Sequence, residues 1–244
     1  MAEGESDQLR VKAAELAAAA EFRERLLGII GHDLRNPLQT IVVAAELLQA
    51  GGKLPEKDLW IVRRIADSGQ RMGRMIDQLA NFTRARLGGG FNLELTLCDM
   101  GVICRDVVEE LRLSSGAEIL FIATGRSEGR WDGDRISEVL SNLIGNATNH
   151  ATPGTPVRVY ARDEGSDVVV DVRNEGTDIA PERLESIFSA FGRPQSERQR
   201  ENGHLGLGLY ISREILVAHQ GVLDVQSAAG KTTFSFRLPR LARG

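Results

Sequence analysis

The sequence predicts the fold class α + α/β, in which an antiparallel α-helical hairpin is followed by an α/β unit. Before the glycine run 88–90, apolar residues recur three and four positions apart, as in amphipathic helices. After the run, strand-like and helix-like segments alternate. Three consecutive glycines do not favour a helix, so they predict a joint between domains. A chain of 244 residues is long enough for two modest domains.

The first unit is predicted from two apolar seams separated by a break at 50–55. The first seam holds for five heptads with one charged exception, and consists of Ala13, Leu16, Ala20, Arg23, Leu27, Ile30, Leu34, Pro37, Ile41, Ala44 and Leu48. The second seam consists of Val62, Ile65, Gly69, Met72, Ile76 and Leu79. Two such helices joined by a short turn form a hairpin. One hairpin leaves much of its stripe in water, so we expect a homodimer in which two hairpins form a four-helix bundle.

The second unit is predicted as strands paired by turns with helices on one side. Strands are expected over 91–97, 118–123, 157–162, 168–172, 222–226 and 232–238. Helices are expected over 100–113, from a cap at Asp132 or Asp134 to about His150, and over 206–219. This arrangement favours an α/β sandwich over a doubly wound parallel sheet.

Composition excludes several classes of protein. The formal net charge is −4 and the pI about 5.7, so the basic surface of a nucleic-acid-binding protein is absent. Cys98 and Cys104 have the spacing of neither a zinc site nor a disulfide framework. No apolar run approaches the roughly 20 residues that a membrane span needs, and the acidic N-terminus does not resemble a signal peptide. We therefore expect a cytoplasmic protein.

His32 stands in the segment GHDLRNPLQTI, at a helical position that faces away from the seam. Alone it would be a solvated surface histidine, but its neighbours favour a function. Asp33 can hold the imidazole in one tautomer or accept its proton. Asn36, one turn later, faces the same side. Pro37 removes a backbone hydrogen bond within the helix and so indicates a local bend.

The segment GHDLRNPLQTI resembles the H box of the sensor histidine kinases, and SEVLSNLIGNATNHA (137–151) resembles their N box. In the second segment Asn142 and Asn146 are one helical turn apart. Their carboxamides can coordinate Mg²⁺ and contact phosphates without adding negative charge beside a triphosphate.

The segment VRNEGTDIAPE (172–182) resembles the G1 box of the same family, with two departures. The family pattern is Asp-x-Gly-x-Gly, and here Asn174 replaces the aspartate, Gly176 is kept and Asp178 replaces the second glycine. Asn174 can still accept a hydrogen bond from the adenine amino group, but without charge assistance. Asp178 adds negative charge near the expected pocket.

Two more segments resemble the F and G2 boxes. The aromatic residues Phe188 and Phe191, followed by Arg193, match the F box, where packing in the core is as good an interpretation as gating. The polar segment 193–204 then corresponds to the ATP lid. Gly206 and Gly208 match the G2 box, in which backbone amides at a helix start approach phosphates.

These five boxes occur in the order that the family has, so the resemblance covers about residues 20–240. It implies a Bergerat-type α/β sandwich for the second unit. The implied domains are a helical lead-in (1–20), a dimerisation and histidine phosphotransfer hairpin (21–87), a linker (88–90) and an ATP-binding domain (91–244).

The resemblance also implies a mechanism: ATP phosphorylates His32, with Asp33 as base or orienting group, and the phosphoryl group passes to an aspartate of a response-regulator receiver domain. Asn36 would position water in a phosphatase reaction, and Asn146 would hold Mg²⁺. An upstream sensory domain or protein is a further implied partner. The implied ATP-binding residues are Asn142, Asn146, His150, Asn174, Gly176, Ile179, Gly206, Leu207 and Gly208.

Three alternatives remain open at this point. The altered G1 box, together with Asn149 where the family often has lysine, allows a core that binds nucleotide weakly and acts chiefly as a phosphatase. A non-catalytic dimeric docking scaffold is the second. An ATPase that hydrolyses ATP for conformational work is the third, and the H box argues against it.

Overall fold

The structure is a computed structural model that describes residues 34–52, 54–86, 91–192 and 205–240. The chain divides into two compact units, an α-helical unit that contains the residues before 91 and an α/β unit that contains Phe91–Arg193 and Gly206–Gly244. The predicted lead-in 1–20, the linker 88–90, His32 and Asp33 lie outside the described residues. No helix within the described ranges has the length and apolarity to cross a bilayer.

The helical unit is a hairpin, as predicted. Its first helix, α1, is described over 34–50, and its second, α2, spans Glu56–Arg86. The chain reverses through Gly52, whose φ of +62° lies in the left-handed region that glycine adopts without steric cost. Helix α2 then opens with the carbonyl of Pro55 accepting a hydrogen bond from the Asp58 amide at 2.9 Å.

The contact between the two helices uses a different face from most of the predicted seam. Leu38, Val42 and Ala45 of α1 are buried, and so are Val62 and Ala66 of α2. All five predicted seam residues within the described part of α1 are instead exposed, namely Leu34, Pro37, Ile41, Ala44 and Leu48. On α2 the seam residues Ile65, Met72 and Leu79 are exposed as well. Each helix therefore has two adjacent apolar stripes, one of which is covered within the hairpin.

The α/β unit contains seven strands and four α-helices within the described residues. The strands are β1 Thr96–Asp99, β2 Ile119–Thr124, β3 Glu128–Trp131, β4 Val157–Glu164, β5 Asp167–Glu175, β6 Val222–Ala228 and β7 Lys231–Pro239. The helices are α3 Met100–Ser115, α4 Gly133–His150, α5 Pro181–Leu184 and α6 Gly208–Ala218, with a 3₁₀ turn at Ser186–Phe188. Five strands form one sheet in the order β2-β4-β5-β7-β6. Strands β2 and β4 are parallel and the other neighbours antiparallel.

The two faces of this sheet differ because strand residues alternate between them. One row of β5, formed by Val168, Val170 and Val172, is fully buried beneath the helical layer to which α4 belongs. On the other face Asp171 accepts hydrogen bonds from Arg162 and Arg173, each at 2.6 Å. One apolar, helix-covered face and one face of paired charges make an α/β sandwich, so the predicted class is confirmed.

Two local predictions were wrong. The strand expected over 91–97 begins only at Thr96, and the residues before it have no regular structure. Strand β3 was missed. It has four residues, and its Gly129 has no β-forming side chain. A β-carbon at Gly129 would overlap the ring of Trp131, so the glycine makes room for the tryptophan.

Candidate functional site

Helix α4 places the two N-box asparagines at the edge of its buried face. Asp132 is the N-cap, and its Oδ1 accepts a hydrogen bond from the Arg135 amide at 3.1 Å, so Asp132 and not Asp134 starts the helix. Asn142 and Asn146 are half-buried. Because residues four apart lie on one face, Asn142, Asn146 and His150 form a row about 12 Å long.

The C-terminal end of α4 meets the end of β5, which carries the G1-like segment. Thr152 donates its amide hydrogen to the carbonyl of Glu175 at 2.7 Å, and Ala151 pairs with Gly176 in an isolated antiparallel bridge. A β-carbon at Gly176 would overlap the carbonyl oxygen of His150. Only glycine permits this approach, which explains why this position of the G1 pattern is kept.

Asn174 is buried at 4% exposure, on the helix-facing row of β5 that continues from Val172. Opposite Asn174 on β7 lies Thr232, which is also buried. These two polar residues interrupt rows that are otherwise apolar. Sequence reasoning missed Thr232, and the available signal was a polar residue at the start of a strand whose next inward residues, Phe234 and Phe236, are apolar.

The start of α6 lies beside α4. A β-carbon on Gly208 would stand 3.1 Å from Oδ1 of Asn142, so the G2 and N boxes are in contact. Leu207 is fully buried, which leaves only its backbone for any ligand. The N-cap of α6 is Leu207, whose apolar side chain makes no capping hydrogen bond to the first turn. Its amide groups and the positive end of the helix dipole therefore suit an anion.

The two ends of the predicted lid segment meet. Gly206, with a φ of +69°, packs so closely on Gly192 that a β-carbon there would overlap the Gly192 carbonyl oxygen. Phe188 is buried and contacts Phe234 edge-on with a centroid separation of 6.5 Å, which confirms a packing role for it. Phe191 is instead 54% exposed and has a positive φ of 59°. Residues 193–204, including Arg193, lie outside the described part of the chain.

The carboxylate of Asp178, which was expected to add negative charge near the pocket, is hydrogen-bonded to the turn between β6 and β7. Its Oδ1 accepts a hydrogen bond from the Gly230 amide at 2.9 Å. The neighbouring Ile179 donates its amide hydrogen to Oγ of Ser227 at 2.9 Å. Asp178 and Ile179 of the G1-like segment are thus both hydrogen-bonded to the β6–β7 hairpin.

His150 keeps an exposed surface at the end of α4, but partial desolvation by its neighbours lowers its pKa below the ordinary value of 6.5 and so favours the neutral form. Within the described ranges, no group of three or more histidine, cysteine, aspartate or glutamate residues could hold a metal ion. A cation at this site would therefore depend on carboxamide oxygens and on a ligand's own oxygens.

Of the predicted catalytic residues only Asn36 is described. It is exposed on α1, and its carbonyl accepts a hydrogen bond from Oγ1 of Thr40 at 3.1 Å. Arg35, the residue before it, pairs with Asp77 of α2 and so joins the two helices close to the H box.

Two protein-family models match the chain. Residues 22–88 match the His Kinase A (phospho-acceptor) domain, and residues 131–242 match the histidine kinase-, DNA gyrase B- and HSP90-like ATPase. A bacteriophytochrome of Pseudomonas aeruginosa is 35% identical over 240 residues, which cover 96% of this chain and 33% of that protein. The sensor protein SrrB of Staphylococcus aureus is 28% identical, over 90% of this chain and 38% of its own length. The chain spans about a third of the length of these curated relatives.

Solved structures have the same fold. Full-length ShkA, crystallised in complex with AMPPNP, aligns with a TM-score of 0.72 at 24% identity, covering 90% of this chain and 46% of its own. The catalytic domain of histidine kinase ThkA, in a nucleotide-free form, aligns with a TM-score of 0.54 at 27% identity, covering 61% of this chain and 97% of its own. The two family models confirm the predicted family, and these solved structures confirm the predicted fold class.

Proposed function

The chain belongs to the sensor histidine kinases, with a phosphoacceptor hairpin followed by an ATP-binding domain, and we propose that it is an ATP-dependent histidine autokinase. In this proposal His32 receives the γ-phosphoryl group of ATP and passes it to an aspartate of a response-regulator receiver domain. The observation that carries the proposal is the convergence of four separate segments on one site. These segments contain Asn142 and Asn146, Asn174 and Gly176, Gly192, and Gly206 and Gly208.

Adenine would bind at the end of β5. Asn174 is a buried carboxamide in a row of valines, and a carboxamide oxygen can accept a hydrogen bond from the adenine amino group. Gly176 and Ile179 would line the same end of the pocket, where the glycine leaves space that a side chain would fill. His150 completes this end of the α4 row, and its lowered pKa favours the uncharged imidazole beside the base.

The phosphates would lie between α4 and α6. The start of α6 offers backbone amides that its N-cap Leu207 does not cap with a side chain. Gly206 and Gly208 have no side chain to block these amides, and the side chain of Leu207 is buried. Asn146, with Asn142 behind it, would present its oxygen to Mg²⁺. One or two protein oxygens plus phosphate oxygens are a usual ligand set for this ion. When bound, Mg²⁺ offsets charge on the phosphates.

In the phosphoryl transfer, a neutral nitrogen of His32 would form a bond to the γ-phosphorus while the bond from phosphorus to the β–γ bridging oxygen breaks, which releases ADP. Asp33 would orient the imidazole or accept its proton. Because ATP is the donor, we place this core in the cytoplasm. A sensory domain or protein upstream would supply the signal, and its contact would be with the helix that leads to His32.

We also propose that the hairpin dimerises. The support is the second apolar stripe, which includes Leu34, Ile41 and Leu48 of α1 and Ile65 and Met72 of α2, all between 44% and 53% exposed in one chain. Pairing two hairpins buries such stripes in a four-helix bundle.

A second output, dephosphorylation of the receiver domain, rests on Asn36. Its exposed carboxamide lies one turn after His32 and is free to hold a water molecule at a partner's phosphoaspartate. Asn36→Ala should slow dephosphorylation of a phosphorylated receiver domain at least tenfold and leave labelling of His32 intact. An unchanged rate would remove Asn36 from that role.

The deciding experiment is incubation with γ-labelled ATP and Mg²⁺. Wild-type protein should acquire a label that is labile to acid and stable to alkali, and His32→Ala should acquire none. Lys57→Ala, a change at an exposed residue of α2 outside both the H box and the proposed nucleotide site, is the control and should label normally. A wild-type protein without label would contradict the autokinase proposal and favour the phosphatase or scaffold alternatives. Steady ATP hydrolysis without labelled histidine would favour the ATPase alternative.

A further inference from the structure

The hairpin turn between β6 and β7 contacts the G1-like segment through both polar backbone groups of one residue. Gly230 accepts a hydrogen bond from the Gly176 amide at 2.9 Å through its carbonyl, and its own amide donates to Oδ1 of Asp178 at 2.9 Å. The two bonds run in opposite directions between the same two segments. Together they fix both the distance and the tilt of the G1-like segment relative to the turn.

A third contact lies next to these two. The amide of Ile179 donates to Oγ of Ser227, and that hydroxyl shares a hydrogen bond of 2.8 Å with Oγ1 of Thr232. Thr232 is the residue opposite Asn174 in the β5–β7 register. The β6–β7 hairpin thus bonds the G1-like segment on both sides of Asp178. It also lies next to Asn174, the residue proposed to bind adenine.

The turn itself is a stiff support. Ala229 and Gly230 have φ values of +54° and +73°, and the pair Ala228–Lys231 closes the ladder on either side. Two central residues with positive φ are the geometry of the two-residue turn that matches strand twist. On the side away from the turn the G1-like segment cannot move closer to α4, because Gly176 already contacts the His150 carbonyl.

We propose that Asp178 is a positioning residue for nucleotide binding, which holds the segment 174–179 against the β6–β7 turn so that Asn174 and Gly176 stay in register with adenine. The proposal rests on the nucleotide site proposed above. It also accounts for the departure from the family pattern. A glycine at 178 would leave the Gly230 amide to water and would add backbone freedom to the segment. The carboxylate supplies a charge-assisted acceptor instead, and its charge is directed to the turn.

Three substitutions at this position separate the causes. Asp178→Asn keeps an oxygen acceptor and removes the charge. Asp178→Ala removes the acceptor and keeps the β-carbon, and Asp178→Gly restores the family residue and also adds flexibility. We expect Asp178→Asn to bind AMPPNP with Mg²⁺ within about twofold of wild type. Asp178→Ala should weaken binding about fivefold and Asp178→Gly about tenfold, because a hydrogen bond and then backbone order are lost.

Labelling kinetics provide a second readout that general damage to the fold would not give. The KM for ATP should rise in Asp178→Ala and Asp178→Gly, and the rate of His32 labelling at saturating ATP should stay at the wild-type value. Asp178→Ala binding AMPPNP as tightly as wild type would overturn the proposal. Equal losses in Asp178→Asn and Asp178→Ala would also overturn it, since the charge and not the bond would then matter.

Amide hydrogen exchange in the nucleotide-free protein distinguishes a failure of this proposal from a failure of the proposed nucleotide site on which it rests. The Gly230 amide should exchange at least about tenfold faster in Asp178→Ala than in wild type, and at the wild-type rate in Asp178→Asn. A Gly230 amide whose exchange does not respond to Asp178→Ala would show that the bond does not hold the turn, and would overturn the proposal. Wild-type protein that binds no AMPPNP, with the exchange pattern as expected, would contradict the nucleotide site instead.

Discussion

His219 joins the ends of the two helices that carry the phosphate-binding segments of the proposed site. It caps α6, where its Nδ1 lies 2.8 Å from the Ile215 carbonyl, and its Nε2 lies 3.0 Å from the amide of Asp132, the N-cap of α4. An amide can only donate, so Nε2 accepts and the proton lies on Nδ1. The imidazole is therefore neutral in the folded protein, and a second proton would place two donors against each other.

Stability should consequently fall in mild acid. Burial lowers the pKa of His219 below 6.5, and the Ile215 carbonyl and the Asp132 charge only partly oppose this. As the pH falls below 6.5, the unfolded chain takes up a proton at this position before the folded chain does. The free energy of unfolding should thus lose up to about 1.4 kcal/mol per pH unit until the folded pKa is reached, and no loss should come from this group above 6.5.

Urea unfolding followed by Trp131 fluorescence measures this effect in the α/β unit. Trp60→Phe leaves Trp131, which is 1% exposed, as the sole tryptophan of the chain. His219→Gln in that background is the comparison, and its stability should depend less steeply on pH. His150 is present in both proteins, so its own lowered pKa cancels. Parallel pH profiles for the two proteins would contradict the role given to His219.

At the scale of single residues, local pattern is sufficient to find the motifs but not their neighbours. Asn142, Asn174 and Gly208 follow from sequence because each stands in a short recognisable segment. Thr232 and the partner of Asp178 do not. Their positions follow from the strand order β5-β7-β6, which brings together Asp178 and Gly230, and Asn174 and Thr232, although each pair is more than 50 positions apart in sequence. No local pattern encodes this pairing.

Among the elements, the crossing of α1 and α2 depends on a glycine. A β-carbon at Gly69 would lie 2.5 Å from Cγ2 of Val42, well inside normal carbon contact. Valine has few alternative rotamers in a helix, so the two helices would have to separate. Gly69→Ala should therefore destabilise the hairpin by about 1–3 kcal/mol. Thermal unfolding followed by circular dichroism would measure it.

Gly73 supplies the matched control one turn later on the same helix. Its β-carbon would stand 3.9 Å from Cδ2 of Leu38, an ordinary contact. Gly73→Ala should stabilise α2 by about 0.5–1 kcal/mol through helix propensity alone. Adding Val42→Ala to Gly69→Ala should recover part of the loss. If Gly69→Ala stabilised the hairpin as much as Gly73→Ala does, the close approach would be disproved.

The hairpin also shows where periodicity stops being informative. Within the described residues, the spacing of apolar residues predicted both helices and the break between them correctly, because amphipathic helices need that period. It could not assign the stripes. Val62 and Gly69 face α1, whereas Ile65 and Met72 are exposed, although all four stood in one predicted seam. A wide apolar face has the same spacing in sequence as a single seam, even when one part of it packs within the hairpin and the other part does not.

At the scale of the whole molecule, the uncovered stripe should decide the oligomeric state. Ile41 is 48% exposed and Ile65 44% exposed, and both belong to the stripe that the proposed dimer would bury. A carboxylate at these positions would be buried without a partner in a four-helix bundle, which is costly. The double variant Ile41→Glu, Ile65→Glu should weaken association by at least about a hundredfold, or roughly 3 kcal/mol.

Sedimentation equilibrium at micromolar concentrations would test this, with Arg63→Glu as a control. Arg63 is exposed on α2 outside the stripe, so its reversal of charge should leave the dimer unchanged. The double variant should still bind AMPPNP as wild type does, because the ATP-binding unit has its own core of β5, β7 and α4. A wild-type protein that sediments as a monomer would contradict the proposed dimer. A double variant that stays dimeric would place the dimer contact on a surface other than the stripe. Loss of dimerisation with nucleotide binding retained would instead assign self-association to the hairpin and nucleotide recognition to the α/β unit.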